Sequence, residues 1–341
     1  MRAAVTVAPR RIEVKELPDP TPAPDEALLR VEVAGICGSD LHMFDGTNPY
    51  ANFPLTQGHE FSARVVALGS AYQGAVKPGD RVTVEPLIYC GECFPCRHGR
   101  PNCCVRLKVL GVHTDGAFAE MISVKSRALF PAGSLDAELT ALVEPVSIGM
   151  QVVTRGQVTG DDTVVVYGAG VIGQATLVCA RDRGARVLVV DKLPSRLELA
   201  RKLGAEATAE AGREDVAKVI ADWTNGEGPA VAVDATGVPA VIRAAIDAVA
   251  PSGRIVIVGI SDQEVSIPVI QFSRKELTIV GSRNNAGVFG QALDLVQRLN
   301  DRLRVLVTHR FPLDQAQDAL DLALDRPQHA EKVLLTITDT K

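Results

Sequence analysis

Val164-Val-Val-Tyr-Gly168-Ala-Gly170-Val-Ile-Gly173 is the stretch on which the fold turns. A valine-rich run of this kind is a strand buried on both faces, and the apolar periodicity of 171–183 is that of a helix. Between them stands G-x-G-x-x-G, in which each glycine has its own task. One makes a tight turn, one lets the backbone approach a pyrophosphate, and one lets the helix pack closely on the strand. The helix N-terminus then offers free N–H groups and the positive end of its dipole to the phosphates. Glycine-rich turns that bind nothing are common, but here the context agrees on three counts. A valine strand precedes, an amphipathic helix follows, and Asp191 ends the next strand 18 residues after Gly173. Asp191 would accept hydrogen bonds from both hydroxyls of an adenosine ribose and repel a 2′-phosphate, which favours NAD over NADP. Arg196 nearby leaves some room for NADP.

Outward from this motif, 187–190, 231–234 and 255–258 are further apolar runs, separated by helical stretches at 194–203 and 238–250. Repeated βαβ units of this type build a parallel sheet. Gly184 and Gly204 follow helix ends, where a left-handed cap favours glycine. Towards the N-terminus the pattern differs: short β-type runs at 27–33, 62–68 and 80–84 are broken by Gly and Pro, and 18–24 is a proline-rich loop. The change of regime falls near 144–155. After about 286, helical segments lead to a last strand-like run at 332–337. Two domains are therefore expected, one from 1–149 and 286–341, the other from 150–285. A β-rich region at 265–280, with its Ser266-Ile-Pro-Val-Ile run, is a candidate for joining two copies edge to edge.

The chain of 341 residues carries a net charge of -5 and only 4% aromatic residues, so neither a basic field nor a base-stacking surface for nucleic acid is expected. The uncharged stretch 163–180 is short for a bilayer span and contains three glycines and Gln174. No membrane partner is expected. Met1 to Asp19 has no apolar run of signal-peptide type, and the expected location is the cytoplasm.

Of seven cysteines, most crowd into Cys90-Gly-Glu-Cys93-Phe-Pro-Cys96 and Cys103-Cys104. Without an export signal, such a cluster points to metal more than to disulfides. Four thiolates on one lobe make a closed, tetrahedral zinc site. The fourth ligand is either Cys103 or Cys104. A second set lies in Gly35-Ile-Cys37-Gly-Ser39-Asp40-Leu-His42 and Gly58-His59-Glu60. Cysteine, histidine and carboxylate suit a zinc site that keeps a position open for substrate.

The order of these segments, GICGSDLH, GHE, the cysteine lobe, Glu144-Pro and GAGVIG, resembles the zinc-containing medium-chain dehydrogenases over essentially the whole chain. Glu144-Pro-Val-Ser-Ile-Gly149 looks like the sorbitol dehydrogenase branch. Asn102-Cys-Cys104, Gly111-Val-His-Thr-Asp-Gly116 and Gly281-Ser-Arg-Asn284 look closer still to bacterial sugar-acid dehydrogenases of the L-galactonate or L-gulonate 5-dehydrogenase type. The resemblance implies an α/β fold with a GroES-like β-rich catalytic domain and a Rossmann doubly wound parallel sheet. It implies two zinc ions and NAD. Cys37, His59 and Glu60 would bind the catalytic zinc, with Glu144 binding it directly or through water, and Asp40 would orient His59. Cys90, Cys93, Cys96 and Cys104 would hold the structural zinc, because the family spaces its last cysteine eight after the third.

By the same resemblance Ser39 and His42 form a proton relay, and Arg283 lies near the substrate. Gly168, Gly170, Val171, Ile172, Gly173, Asp191, Arg196, Thr236, Gly237 and Gly259 line the cofactor. The chemistry implied is oxidation of a secondary alcohol in a polyol or sugar acid: zinc lowers the pKa of the alcohol, whose carbon gives hydride to the nicotinamide. The alternatives are L-threonine 3-dehydrogenase or another zinc alcohol dehydrogenase, and, from a different class, a zinc-stabilised nucleotide-binding regulator without catalysis. A homodimer or homotetramer is expected.

Overall fold

The structure is a computed structural model and describes residues 1–338. The chain divides into two compact units: Met1–Glu144 together with the segment from Phe289 on, and Pro145–Val288.

The second unit is a six-stranded sheet in the order Ala207–Glu210, Arg186–Asp191, Thr163–Tyr167, Val231–Asp234, Arg254–Ile257, Thr278–Gly281. Every neighbouring pair is parallel. The strand order reverses on the two sides of Thr163–Tyr167, which makes the sheet doubly wound. The central strands are valine-rich because helices cover both of their faces. Val164, Val165 and Val166 are buried, as are Val187, Leu188 and Val189. The helix Val171–Asp182 follows the first strand directly, and Pro194–Leu203 ends at Gly204 with φ 104, the left-handed cap that glycine accepts without strain.

The first unit is β-rich. Its larger sheet runs Leu129–Pro131, Arg81–Val84, Glu60–Leu68, Glu26–Gly35, Lys332–Thr336, Val307–Pro312, with Met121–Lys125 also paired to Glu26–Gly35. A small sheet joins Arg11–Glu16, Arg2–Ala8 and Leu55–Thr56. The core beneath the larger sheet contains Leu29, Val31, Phe44, Phe61, Val82, Phe118 and Leu335. The pairing of Gly35 with Glu60 on one side and with Leu334 on the other places the last strand beside the candidate metal-binding residues Cys37, His59 and Glu60.

The α/β class and the doubly wound sheet read from the sequence are both present. One local reading needs correction. The region 265–280 is not a continuous β segment: it contains the helix Ile270–Lys275, and only Thr278–Gly281 pairs into the sheet. Val265 and Ile267 alternate because an extended stretch lays them on the core, and the Ser266 carbonyl is taken by the Arg243 guanidinium at 3.1 Å. Pro268 then begins a turn, its carbonyl accepting from the Gln271 N–H at 3.0 Å. Residues 144–155, near which the sequence pattern changes, lie within the helix Val143–Arg155, and the two units divide at Glu144 and Pro145. The strand Ala207–Glu210 carried no sequence signal, since alanine and glutamate are poor strand formers. No helix among the described residues is long and apolar enough to cross a membrane.

Candidate functional site

In the first unit, Cys37 begins a short helix, Gly38–Phe44, and His59 and Glu60 open the strand Glu60–Leu68. One ligand atom of each of Cys37, His59 and Glu60 lies within 4.8 Å of the others. Asp40 is fully buried behind them. Its Oδ2 accepts from the Cys37 N–H at 2.9 Å and its Oδ1 from the Gly58 N–H at 3.3 Å, so one carboxylate ties the two motifs together. His59 Nδ1 is 3.8 Å from Asp40 Oδ1, an ion-pair distance longer than a hydrogen bond. Ser39 Oγ lies 3.4 Å from His59 Nε2, and His42 is exposed on the same helix. Glu144, in the first turn of Val143–Arg155, is buried beside this group.

Two residues that sequence reasoning missed complete the pocket. Lys332 is buried in the last strand, and its Nζ donates to Glu60 Oε2 at 2.5 Å and to the Ile36 carbonyl at 3.0 Å. Gly35 makes the pair possible, because a Cβ there would stand 2.4 Å from Glu60 Oε2. Gln57 is also buried; its amide donates to the Asp40 carbonyl at 2.7 Å and its Oε1 accepts from the Thr6 hydroxyl at 2.6 Å. A charged lysine inside the apolar run Lys332-Val-Leu-Leu was the one available signal, since such a residue is seldom fully buried unless paired.

The electrostatics of this pocket favour a cation. Burial raises the pKa of Glu144 to about 7, aided by Glu60 and Asp40 and opposed by His59 and Lys332. Burial likewise raises Asp40. Burial opposes charge on His59, yet Asp40, Cys37 and Glu144 together hold its pKa well above the usual histidine value. Burial also opposes charge on Lys332, and Glu60, Cys37 and Glu144 more than offset it, so its pKa is raised. Glu60 Oε1 is buried without a hydrogen-bond partner, while Oε2 is engaged by Lys332. A thiol, an imidazole and an unsatisfied carboxylate oxygen fit a zinc ion by donor chemistry and by charge.

The cysteine lobe is the second candidate metal site. Cys90, Cys93, Cys96 and Cys104 offer sulfurs within 4.8 Å of one another, whereas Cys103 is exposed and outside the group. Sulfur–sulfur separations are 3.4 Å for Cys93–Cys96, 3.5 Å for Cys90–Cys104, 3.8 Å for Cys93–Cys104 and 4.0 Å for Cys90–Cys96. A tetrahedral zinc with Zn–S of ~2.3 Å requires about 3.8 Å between sulfurs, so the lobe has the right size. Backbone N–H groups of Glu92 and Cys93 and the Arg106 side chain pull the Cys90 thiol down to about 5. Burial and the neighbouring sulfurs push Cys96 up to about 12, so filling the site with metal must release protons.

In the second unit the glycine-rich turn leaves no room for side chains at Gly168 and Gly173. A Cβ on Gly173 would lie 1.8 Å from the Gly168 carbonyl oxygen, and Gly168 has φ 94. Asp191 accepts from the Ala169 N–H at 2.6 Å and the Leu193 N–H at 2.8 Å, which fixes its carboxylate beside the turn. Gly170, with Val171 and Ile172 after it, opens the helix, and a Cβ on Gly170 would be 3.8 Å from the Arg196 guanidinium. Asp234, another buried carboxylate without a sequence signal, accepts from the Thr236 hydroxyl at 2.6 Å and the Gly237 N–H at 3.1 Å, and its carbonyl accepts from the Gly259 N–H at 3.0 Å. Thr236, Gly237 and Gly259 are thereby gathered at the ends of two adjacent strands, the place where open α/β sheets bind ligands. Arg283 is exposed two residues beyond Thr278–Gly281.

Residues 23–134 match the alcohol dehydrogenase GroES-like domain and residues 171–298 match the zinc-binding dehydrogenase family. The chain belongs to the zinc-binding alcohol dehydrogenases. Among its relatives, the sorbitol dehydrogenase of Bacillus subtilis is 33% identical over 98% of this chain and 97% of its own. The L-galactonate-5-dehydrogenase of Escherichia coli is 32% identical over 92% of each. A solved structure of the RspB alcohol dehydrogenase of Escherichia coli CFT073 complexed with NADH superposes with a TM-score of 0.93, at 34% identity and 99% coverage of both chains.

Proposed function

We propose that this protein oxidises a secondary alcohol of a polyol or sugar acid to the ketone, using NAD and two zinc ions per chain. The observation that carries the reading is the group of half-buried Cys37 with buried His59 and Glu60, with Glu144 beside it and Lys332 behind it, a pocket whose charge suits a metal ion. Cys37, His59 and Glu60, with Glu144, would hold the catalytic zinc. Cys90, Cys93, Cys96 and Cys104 would hold the structural one. When bound, the zinc supplies Lewis acidity that makes a substrate hydroxyl easier to deprotonate, and the nicotinamide supplies a hydride acceptor.

The protein's own residues do the rest. Ser39 takes up the substrate proton as its own hydroxyl proton passes on towards His42, exposed on the same helix, which returns a proton to solvent. Asp40 fixes His59 from behind. Asp191 binds the adenosine ribose, and Gly168, Gly170 and Gly173 let the backbone meet the pyrophosphate. Arg283 offers a fork of donors suited to a carboxylate or a pair of hydroxyls. The names of the sorbitol and L-galactonate relatives support both substrate types. The sheet of the second unit ends at Thr278–Gly281, where a second copy could add to give the homodimer or homotetramer expected from the sequence.

The test is a panel of alditols, aldonates, L-threonine and simple secondary alcohols, mixed with zinc-loaded protein and NAD and followed by NADH absorbance. Turnover of an alditol or aldonate well above the rest is the expected result. Arg283→Ala should then reduce that turnover far more than turnover of a plain secondary alcohol. Preference for threonine, or an equal loss on all substrates in Arg283→Ala, would overturn the assignment of substrate class.

A further inference from the structure

The loop after the helix Gly38–Phe44 folds back on His42. Asp45 caps the helix, its N–H bonded to the carbonyls of Leu41 and Met43. Thr47 donates twice to the same oxygen, Asp45 Oδ1: from its N–H at 2.9 Å and from its hydroxyl at 2.6 Å. The Thr47 hydroxyl oxygen lies 3.1 Å from His42 Nδ1, and the Asn48 N–H donates to the His42 carbonyl at 2.9 Å. His42 is thus tied to the loop through both its ring and its backbone.

We propose that Asp45 and Thr47 are positioning residues that hold neutral His42 as the Nδ1–H tautomer and so present Nε2 as its basic atom. A carboxylate only accepts hydrogen bonds, and a threonine hydroxyl has one proton to give. Two acceptors compete for that proton, the Asp45 carboxylate and His42 Nδ1. The charged acceptor at the shorter distance wins. Thr47 is then left with lone pairs facing the ring, and the contact forms only when Nδ1 carries the hydrogen. Free histidine in water favours the opposite tautomer, so the loop reverses the intrinsic preference. When Nε2 takes up a proton, the ring becomes positive while Nδ1–H, the Thr47 hydroxyl and the Asp45 carboxylate keep the same hydrogen-bond directions. The step needs no rearrangement, and the exposed ring can pass the proton to water.

The proposal rests on His42 acting in proton transfer, but the tautomer is a resting property that can be read without turnover. The ring ¹⁵N resonances of the zinc-loaded protein, assigned with His42→Ala, distinguish a protonated from an unprotonated ring nitrogen. With the ring neutral, native His42 should show a protonated Nδ1 and an unprotonated Nε2. Thr47→Val should reverse the pattern, and Thr47→Ser should restore it. Asp45→Ala should also reverse it, because the hydroxyl is then free to donate to Nδ1. Turnover should follow: Thr47→Val should lower kcat roughly tenfold with KM little changed, a part of the ~10²–10⁴-fold usual for general acid–base catalysis, and Thr47→Ser should recover it. A native ring protonated on Nε2, or a native pattern surviving in Thr47→Val, overturns the tautomer assignment. A reversed tautomer with full turnover in Thr47→Val overturns the positioning role. If His42→Ala keeps full turnover while the native tautomer is as stated, the relay reading fails and the tautomer assignment stands.

Discussion

The four sulfurs of the cysteine lobe come from a short run, Cys90 to Cys104, whereas the groups around Glu60 come from Cys37, His59, Glu144 and Lys332. In the lobe the chain itself does the gathering. Gly91 and Gly99 turn at φ 79 and 69, Cys93 caps the short helix Phe94–Arg97, and three of the four cysteines remain half-exposed. Around Glu60 the sheet does the gathering: the motifs are brought together by strand register, and every carboxylate is buried. The lobe can relieve its charge with water, Arg106 and metal. Among the described residues, the buried group has Lys332 and His59 to offset its charge. An ion in a lobe of the first kind would brace a shape that the chain has begun. An ion in a pocket of the second kind, whose shape the fold sets, would offset its charge.

The sharpest way to break this contrast is Cys104→Ala. Structural zinc contributes about 10–16 kcal/mol in zinc-finger peptides, where nothing else holds the fold. Here the loss should be confined to the lobe: zinc content should fall from two ions per chain to one, and protease should cut between residues 90 and 106 while the rest stays folded. Cys103→Ala should keep both ions. If Cys103→Ala loses one and Cys104→Ala does not, the lobe geometry has been misassigned.

Lys332→Met probes the other member of the pair. Removing one partner of a buried ion pair costs about 3–5 kcal/mol, because the remaining charge has no water to turn to. The variant should unfold at distinctly lower denaturant concentration, and added zinc should recover part of the loss by meeting Glu60 instead. Unchanged stability in the metal-free variant would show that the pair is neutralised in some other way.

The smallest effect is expected in the second unit, where the Asp191 carboxylate accepts from the backbone N–H groups of Ala169 and Leu193. Asp191→Ser removes an acceptor for the ribose, worth about 1–3 kcal/mol, and relieves repulsion of a 2′-phosphate. NAD should bind more weakly and NADP more tightly, as titration of cofactor fluorescence would measure. A native protein that already prefers NADP would contradict the role given to Asp191.

The second unit was largely legible in the sequence because its signals are local. The valine strand, the glycine turn and the helix are contiguous, and four of its six strands read as apolar runs with nearly the observed bounds. The exceptions are Ala207–Glu210, an edge strand with Thr208 as its one β-former, and Val265 to Pro268, whose alternation reflects packing and not pairing. In the first unit the residue types of the metal motifs could be read, but their assembly could not. Glycine, cysteine and histidine carry local meaning, while the contact from Glu60 to Lys332 spans 272 positions and follows only from strand order. Asp45 and Thr47 likewise look like ordinary turn residues until the ring of His42 is placed beside them.

The position of the last strand also has a consequence for synthesis. A ribosome completes Pro145–Val288 before it has made Lys332–Thr336, so the second unit can fold co-translationally while the first still lacks the strand that borders Glu26–Gly35. Until Lys332 emerges, Glu60 lacks the ammonium that it meets in the finished sheet. The unit begun first is therefore the one finished last.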